Sequence, residues 1–263
     1  MSNTTNKFGN KIEYNPKAKG MRYKVDGQGK KSVTTAIDSY IKLDLTRWVK
    51  RLRDDAMKEV MLEKKVPLDK INNFIDKVAE KAQKEEDWAK TIGTQLHEWI
   101  DYYLKGEKPS IPSTQPLKRM ATDFIKFWKE QKFKVIESEM PLYSPRFDLC
   151  GTNDVIVTKD DWNGELGVLD WKTSKDYNFN HILQIEAYRR FIEETTEFKV
   201  PRLAIVNIPK EVGKKITMYE VPKDRTKQQV YFKSFRAMRY LANVESKFRK
   251  DISKWKKENK TNV

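Results

Sequence analysis

Apolar positions along the chain change their period midway. From about residue 42 to 131 they recur every three or four residues, the spacing that lines one face of a helix. Leu43, Leu45, Trp48, Val49 and Leu52 predict a helix over about 42–63, stopped by Pro67. Ile71, Ile75, Val78 and Ala82 predict a second. Ile92, Leu96, Ile100 and Tyr103 predict a third, ending near Gly106, and Leu117, Met120, Phe124 and Phe127 a fourth after the loop SIPSTQP. Then the pattern shortens. Segments 134–144, 147–158 and 165–172 are rich in β-branched and aromatic residues and read as strands, with DDWNGE as the turn between the last two. A helix is expected over about 179–196, followed by strands at 203–208 and 215–221 joined by a turn at Lys210–Gly213. A long helix closes the chain over about 225–257. Its stripe (Tyr231, Phe235, Met238, Leu241, Val244, Phe248, Ile252, Trp255) is expected to pack on the core, leaving a wet, basic opposite face.

This order predicts an α/β fold: a mixed sheet flanked by helices, with a helical N-terminal layer. The helical layer takes about 40–131 and the α/β core about 132–222, within a single domain over 21–263. Asp26-Gly27 marks a hairpin within 21–33. Residues 1–20, polar and rich in Asn and Lys, read as a mobile basic arm. No internal repeat is present.

Charge adds a partner class. With 53 Lys+Arg against 38 Asp+Glu the net charge is +15, which favours a polyanion: nucleic acid first, an anionic membrane surface second. Residues 245–263 carry seven basic and three acidic side chains, either a nonspecific phosphate clamp or a solvated helix face. No apolar run approaches the ~20 residues needed to span a bilayer. The N-terminal residues lack the apolar stretch of a secretory signal, so a cytoplasmic setting, bacterial or phage-infected, is expected. The single cysteine, Cys150, excludes an internal disulfide framework, a four-Cys zinc site and an iron–sulfur cluster. GQGKKS superficially resembles a nucleotide-binding loop. Lys24 stands where its first Gly belongs and Lys31 where Ser or Thr should follow the Lys, so no nucleotide cofactor is expected.

The chemistry lies between Phe147 and Phe191. Residues two apart in a strand share a face, so Asp170 and Lys172 of VLDWKTS project together while Trp171 points away. The preceding strand carries Asp154, and the turn can bring it beside Asp170, with neighbouring strands ~4.8 Å apart. Two carboxylates that close need a proton or a cation between them. Hard oxygen ligands select Mg²⁺ or Mn²⁺, and an adjoining lysine can polarise water or a phosphate oxygen, an arrangement suited to phosphodiester hydrolysis. Taken alone, Asp-x-Lys is more often a weak surface ion pair. Its Val/Leu/Trp setting shifts the balance, because charges within an apolar strand need partners. Gln184 and Tyr188, four apart, share a helix face and can bond phosphate or orient the lysine. His97 borders the Leu96/Ile100 stripe, as a ligand with Asp101 orienting its ring or as a half-buried packed histidine. His181, near the start of the 179–196 helix, is at most a nearby binding residue.

Taken in order, GTQLHEWID, SEMPLYSPRFDLCGTNDVI, VLDWKTS and QIEAYRRF resemble the RecB-like branch of the PD-(D/E)XK nucleases. KSVTTAIDSYIKLDLTRWVKRL is similar to a subgroup containing phage exonucleases and the mitochondrial genome maintenance exonuclease. The resemblance spans about Tyr23 to Ile205. It implies a restriction-endonuclease-like mixed sheet, Mg²⁺ (with Mn²⁺ substituting) and a DNA substrate, single-stranded or with free ends. It also implies roles in repair and recombination beside accessory replication or recombination proteins. His97, Asp154 and Asp170 match the metal ligands, completed by the Trp171 carbonyl, and Lys172 matches the catalytic lysine. Gln184 and Tyr188 match QxxxY, and Glu139 matches a position often acidic in this branch. Asn153 departs from the usual Pro before the first acid. The leading expectation is a metal-dependent DNA exonuclease. A structure-specific endonuclease acting on flaps or branches, and a non-catalytic nucleic-acid binding protein, are the alternatives.

Overall fold

In the computed structural model, described for residues 2–18, 20–41, 57–58, 61–65 and 67–259, the chain is a mixed α/β protein with two sheets. The larger sheet contains β5 (Lys134–Ser144), β6 (Leu149–Thr158), β7 (Leu166–Lys172), β8 (Arg202–Asn207) and β9 (Thr217–Val221), in that spatial order. Only β7 and β8 run parallel; their connection is α4 (Phe179–Thr195), since parallel neighbours require a crossover. The turn between β6 and β7 is a 3₁₀ segment, Asp160–Trp162, followed by Asn163 and Gly164 at positive φ.

Helices cover both faces of this sheet. On one side α2 (Leu68–Leu104) and α3 (Leu117–Gln131) set Leu96, Ile100, Met120 and Phe124 against Val155, Val157, Leu169 and Trp171. On the other, Leu183 and Phe191 of α4 join Phe235 of α5 (Arg225–Glu258) and Val33 of α1 (Val33–Ile41) over Ile156, Val168 and Ile205. The two helices expected on either side of residue 85 are one helix of 37 residues. Pro67 immediately precedes it, so the proline sets a start rather than only a stop. The helix expected over 42–63 lies for the most part outside the described residues. No helix among the described residues is long and apolar enough to cross a membrane.

Two expectations need correction. Residues 1–20 are not a free arm. They supply β1 (Ser2–Thr5) and β2 (Lys11–Tyr14), which join β3 (Tyr23–Val25) and β4 (Gln28–Lys30) in a four-stranded antiparallel sheet. Ile12, Tyr23 and Val25 are buried against Tyr143 and Cys150, which anchors the small sheet to the larger one. Polar composition hid this, because the single buried Ile12 suffices when β3 supplies Tyr23 and Val25.

The stripe of α5 packs only over its first half. Phe235 is buried, but Leu241, Val244, Phe248, Ile252 and Trp255 are exposed. The reason is direction: these positions lie on the side of α5 opposite Arg239, Asn243, Ser246 and Lys250, which face β4 and the start of β6.

Candidate functional site

The acids meet where β6 and β7 part. Their pairing runs from Thr158–Leu166 to Val155–Leu169 and stops before Asp154 and Asp170. There the Trp171 N–H donates to Asp154 Oδ2 at 2.6 Å, replacing the missing ladder bond with a side-chain acceptor. The Trp171 ring lies edge-on to Phe124 of α3, with centroids 5.3 Å apart, and fixes this end of β7. Asp170 and Lys172 share a face as their spacing predicts, with Oδ2 and Nζ 2.5 Å apart.

Strand β5 brings a third acid. The β5–β6 register runs from Ser138–Val155 to Met140–Asn153, which sets Glu139, at φ 47°, opposite Asp154. That left-handed conformation costs a non-glycine residue about 1–3 kcal/mol, strain of the kind that gathers at functional positions. It presents the carboxylate to Asp154. One ligand atom each from His97, Glu139 and Asp154 lies within 4.8 Å of the others, and His97 Nδ1 is 3.4 Å from Asp154 Oδ1. Helix α2 comes close enough to deliver His97 partly because residue 93 is glycine: a Cβ there would sit 3.1 Å from Thr173 Oγ1.

Helix α4 closes the site. Its N-terminus is capped by Asn178, which accepts from the His181 N–H at 3.2 Å while the His181 ring accepts from the Asn178 N–H. Gln184 Nε2 donates to the Tyr188 hydroxyl at 2.9 Å. Tyr188 is buried against Gly151 of β6, where a Cβ would meet its ring at 2.4 Å, so any side chain at 151 displaces the tyrosine.

The residues expected at the site therefore form three adjoining groups: His97–Glu139–Asp154, Asp170–Lys172 and Gln184–Tyr188. Trp171 enters through its N–H. Asp101 does not orient His97; it accepts from Ser138 Oγ at 2.9 Å and Lys105 Nζ at 2.7 Å, bracing the strand beside Glu139. His181 is a helix cap, and burial, aided by the charge of Lys172, holds its pKa down to about 4. Glu139 is the residue that periodicity could not find; only its place within SEMPLYS pointed to it.

No family model and no curated protein matches the chain. Among solved structures, a crystal structure of SSO0001 aligns with 46% of this chain and 57% of its own, at 16% identity and a TM-score of 0.27. The match thus spans little more than half of that protein, and a likeness this low carries no argument. The chemistry has to come from the residues themselves.

Electrostatics show strain that a cation would relieve. Burial, then repulsion from Asp154, raises Glu139 to about 8. Burial raises Asp170 to about 6, with Lys172 opposing and Asp154 adding to the shift. Burial alone would raise Asp154 too, but His97, Lys172 and the Trp171 N–H outweigh it and hold this carboxyl below its usual range. Burial works against the His97 proton, yet Asp154 raises its pKa overall. An imidazole and two carboxylates at this spacing fit a divalent ion. The donor types admit Mn²⁺ or Zn²⁺ as well as Mg²⁺.

A pH dependence follows. Glu139 and Asp170 bind protons more tightly folded than unfolded, so without metal their contribution to stability is complete below about pH 4 and is lost as pH rises through about 6 and then 8. A cation reverses the trend, because it binds the ionised carboxyls and neutral His97. The rise in Tm on adding Mn²⁺ is expected to grow between pH 6 and 8.5. It should approach about 2.7 kcal/mol of stabilisation at a hundredfold excess over Kd. Glu139→Gln should flatten that growth. A metal increment equal at both pH values in the native protein would show that these groups do not hold the ion.

Proposed function

We propose that the protein is a divalent-metal-dependent DNA nuclease of the RecB-like PD-(D/E)XK branch, with a restriction-endonuclease-like core and exonucleolytic action on free ends. The observation that carries this is the convergence of His97, Glu139 and Asp154 within 4.8 Å, alongside the Asp170–Lys172 pair, at the point where β6 and β7 part. Three-layer α/β/α packing, with β7 and α4 both contributing to the site, supports the same reading.

The reaction joins a water oxygen to phosphorus and breaks one P–O ester bond, and the departing sugar oxygen gains a proton. A divalent cation would supply charge stabilisation for the phosphate in that displacement. His97, Glu139, Asp154 and Asp170 would hold it. Lys172, partly open to solvent and paired with Asp170, is placed to orient the attacking water and to offset the phosphate charge. Tyr188, fixed by Gln184 and Gly151, sets the wall of α4 against which the strand would lie. The preference for DNA comes from the resemblance.

The test is a time course on end-labelled single- and double-stranded DNA with Mg²⁺, Mn²⁺ or EDTA, beside a covalently closed single-stranded circle. Metal-dependent shortening of linear DNA, with the circle intact, is expected. Cutting of the circle would assign endonuclease action, and no cleavage with any metal would remove the nuclease reading. Lys172→Ala is expected to abolish turnover while DNA binding survives; turnover retained in that variant would dismiss this site.

A further inference from the structure

A cleft of about 730 Å³ opens away from the acids, where β4, the start of β6 and α5 meet. Its α5 wall carries Arg239, Asn243, Ser246 and Lys250, spaced 4, 3 and 4, one face of the helix. Lys30 and Lys31 line the opposite side. Of its two carboxylates, Asp148 is paired with Lys30 at 2.9 Å and accepts from the Tyr143 hydroxyl, while Glu245 is bonded to Arg249. Arg239, Lys31 and Lys250 thus face the cleft with no ion pair of their own among the described residues, Asp148 acting on Arg239 only at longer range. Arg239 is half-buried and makes no hydrogen bond or ion pair among the described residues. Burial disfavours its charged form, with Asp148 only partly opposing. A partly desolvated guanidinium beside amide and hydroxyl donors has the chemistry to bind an anion.

We infer that this cleft binds the phosphodiester backbone of a nucleic-acid strand, with Arg239 as its central contact and Lys31 and Lys250 beside it. Size favours this over a single small ion, since ~300–1,000 Å³ is the range of pockets for nucleotide-sized ligands. Position does too. Strand β6 runs from Leu149 in the cleft wall to Asp154, five residues or about 17 Å, which is about five nucleotide steps at ~3.4 Å. The cleft would hold the strand at a distance from the cut. Only that last placement rests on the nuclease reading; the affinity of the cleft does not.

The test measures anisotropy of a fluorescein-labelled single-stranded oligonucleotide of about twenty nucleotides, in EDTA, over a salt series. Arg239→Glu is expected to weaken binding on the order of tenfold or more. The slope of log K against log salt should fall by about 0.7 for each phosphate that the variant no longer neutralises. Arg239→Lys should recover part of the affinity, and unchanged thermal melting would show that the Glu variant is folded. Affinity and slope unchanged in folded Arg239→Glu would overturn the assignment. So would displacement of the oligonucleotide by inorganic phosphate at equal phosphate concentration, which marks a free-anion site. Displacement by phosphatidylserine vesicles would assign the α5 region to a membrane surface instead. If Arg239→Glu loses binding while Lys172→Ala keeps its turnover, the cleft stands and the proposed catalytic centre does not.

Discussion

Asp154→Asn is expected to lower metal-dependent cleavage on the order of 10³-fold, the largest loss among the single-residue changes at the acid cluster. Every group there reports to this carboxylate. Its Oδ2 takes the Trp171 N–H, its Oδ1 faces His97, and its charge raises both Glu139 and Asp170. The amide keeps the shape and removes the charge, so loss of activity would not reflect a collapsed core. A second readout separates the cluster from a bystander. Asp154 does most to raise His97 against burial; without it burial and Lys172 are opposed only by the weaker pull of Glu139, and the His97 pKa should fall. Imidazole titration by NMR measures this directly. Full activity together with an unmoved His97 would mean that the cluster is not assembled in solution.

Much of this site was legible because its spacings are local. Asp170 and Lys172 meet through the period of two in a strand, and Gln184 and Tyr188 through the i, i+4 geometry of a helix. The Asp154 contact depended on a short turn and came out close to expectation, though as a bond to the Trp171 N–H at the point where pairing fails. Glu139 was harder. It lies opposite Asp154 in the β5–β6 register and takes a left-handed φ, and no alternation of apolar residues encodes either the register or that φ. Asp101 shows the converse. Helical spacing placed it one turn beyond His97, but the side chain turned to Ser138, a partner 37 residues away.

The fold shows the same division. Strands and helices of the core followed from periodicity because each has its own buried face. The N-terminal strands did not, since β1 and β2 are mostly polar and owe their order to pairing with β3 and to the single buried Ile12. On α5 the periodicity was real, but sequence does not say which face the body takes. Beyond Phe235 that face is the polar one, which lines the cleft, and the apolar stripe is left exposed.

Glu186→Gln is expected to destabilise the fold by about 3–5 kcal/mol, a large share of the ~5–15 kcal/mol typical of a native protein. Glu186 and Arg189 of α4 are both fully buried. Arg189 donates through Nε to Glu186 Oε2 at 2.8 Å and through a second nitrogen to Oε1 at 2.5 Å; it also bonds Glu193 at 2.8 Å, and Arg190 reaches Glu186 at 3.1 Å. With the Glu186 charge removed, Arg189 keeps one partner, at the edge of the network, and remains a cation in an apolar layer. The cost is that of a buried guanidinium left with Glu193 alone to balance it, more than one missing hydrogen bond. Replacing both members with apolar residues of similar size, Glu186→Leu with Arg189→Met, should therefore restore most of the stability. Urea unfolding followed by far-UV dichroism reads both changes, as a lower midpoint for the single variant at unchanged m and partial recovery in the double. The same helix positions Gln184 and Tyr188, so the single variant should lose the DNA cleavage proposed above in proportion to its unfolded fraction. A midpoint shift worth less than about 1 kcal/mol would show that water reaches Arg189 and that α4 is not held by this network.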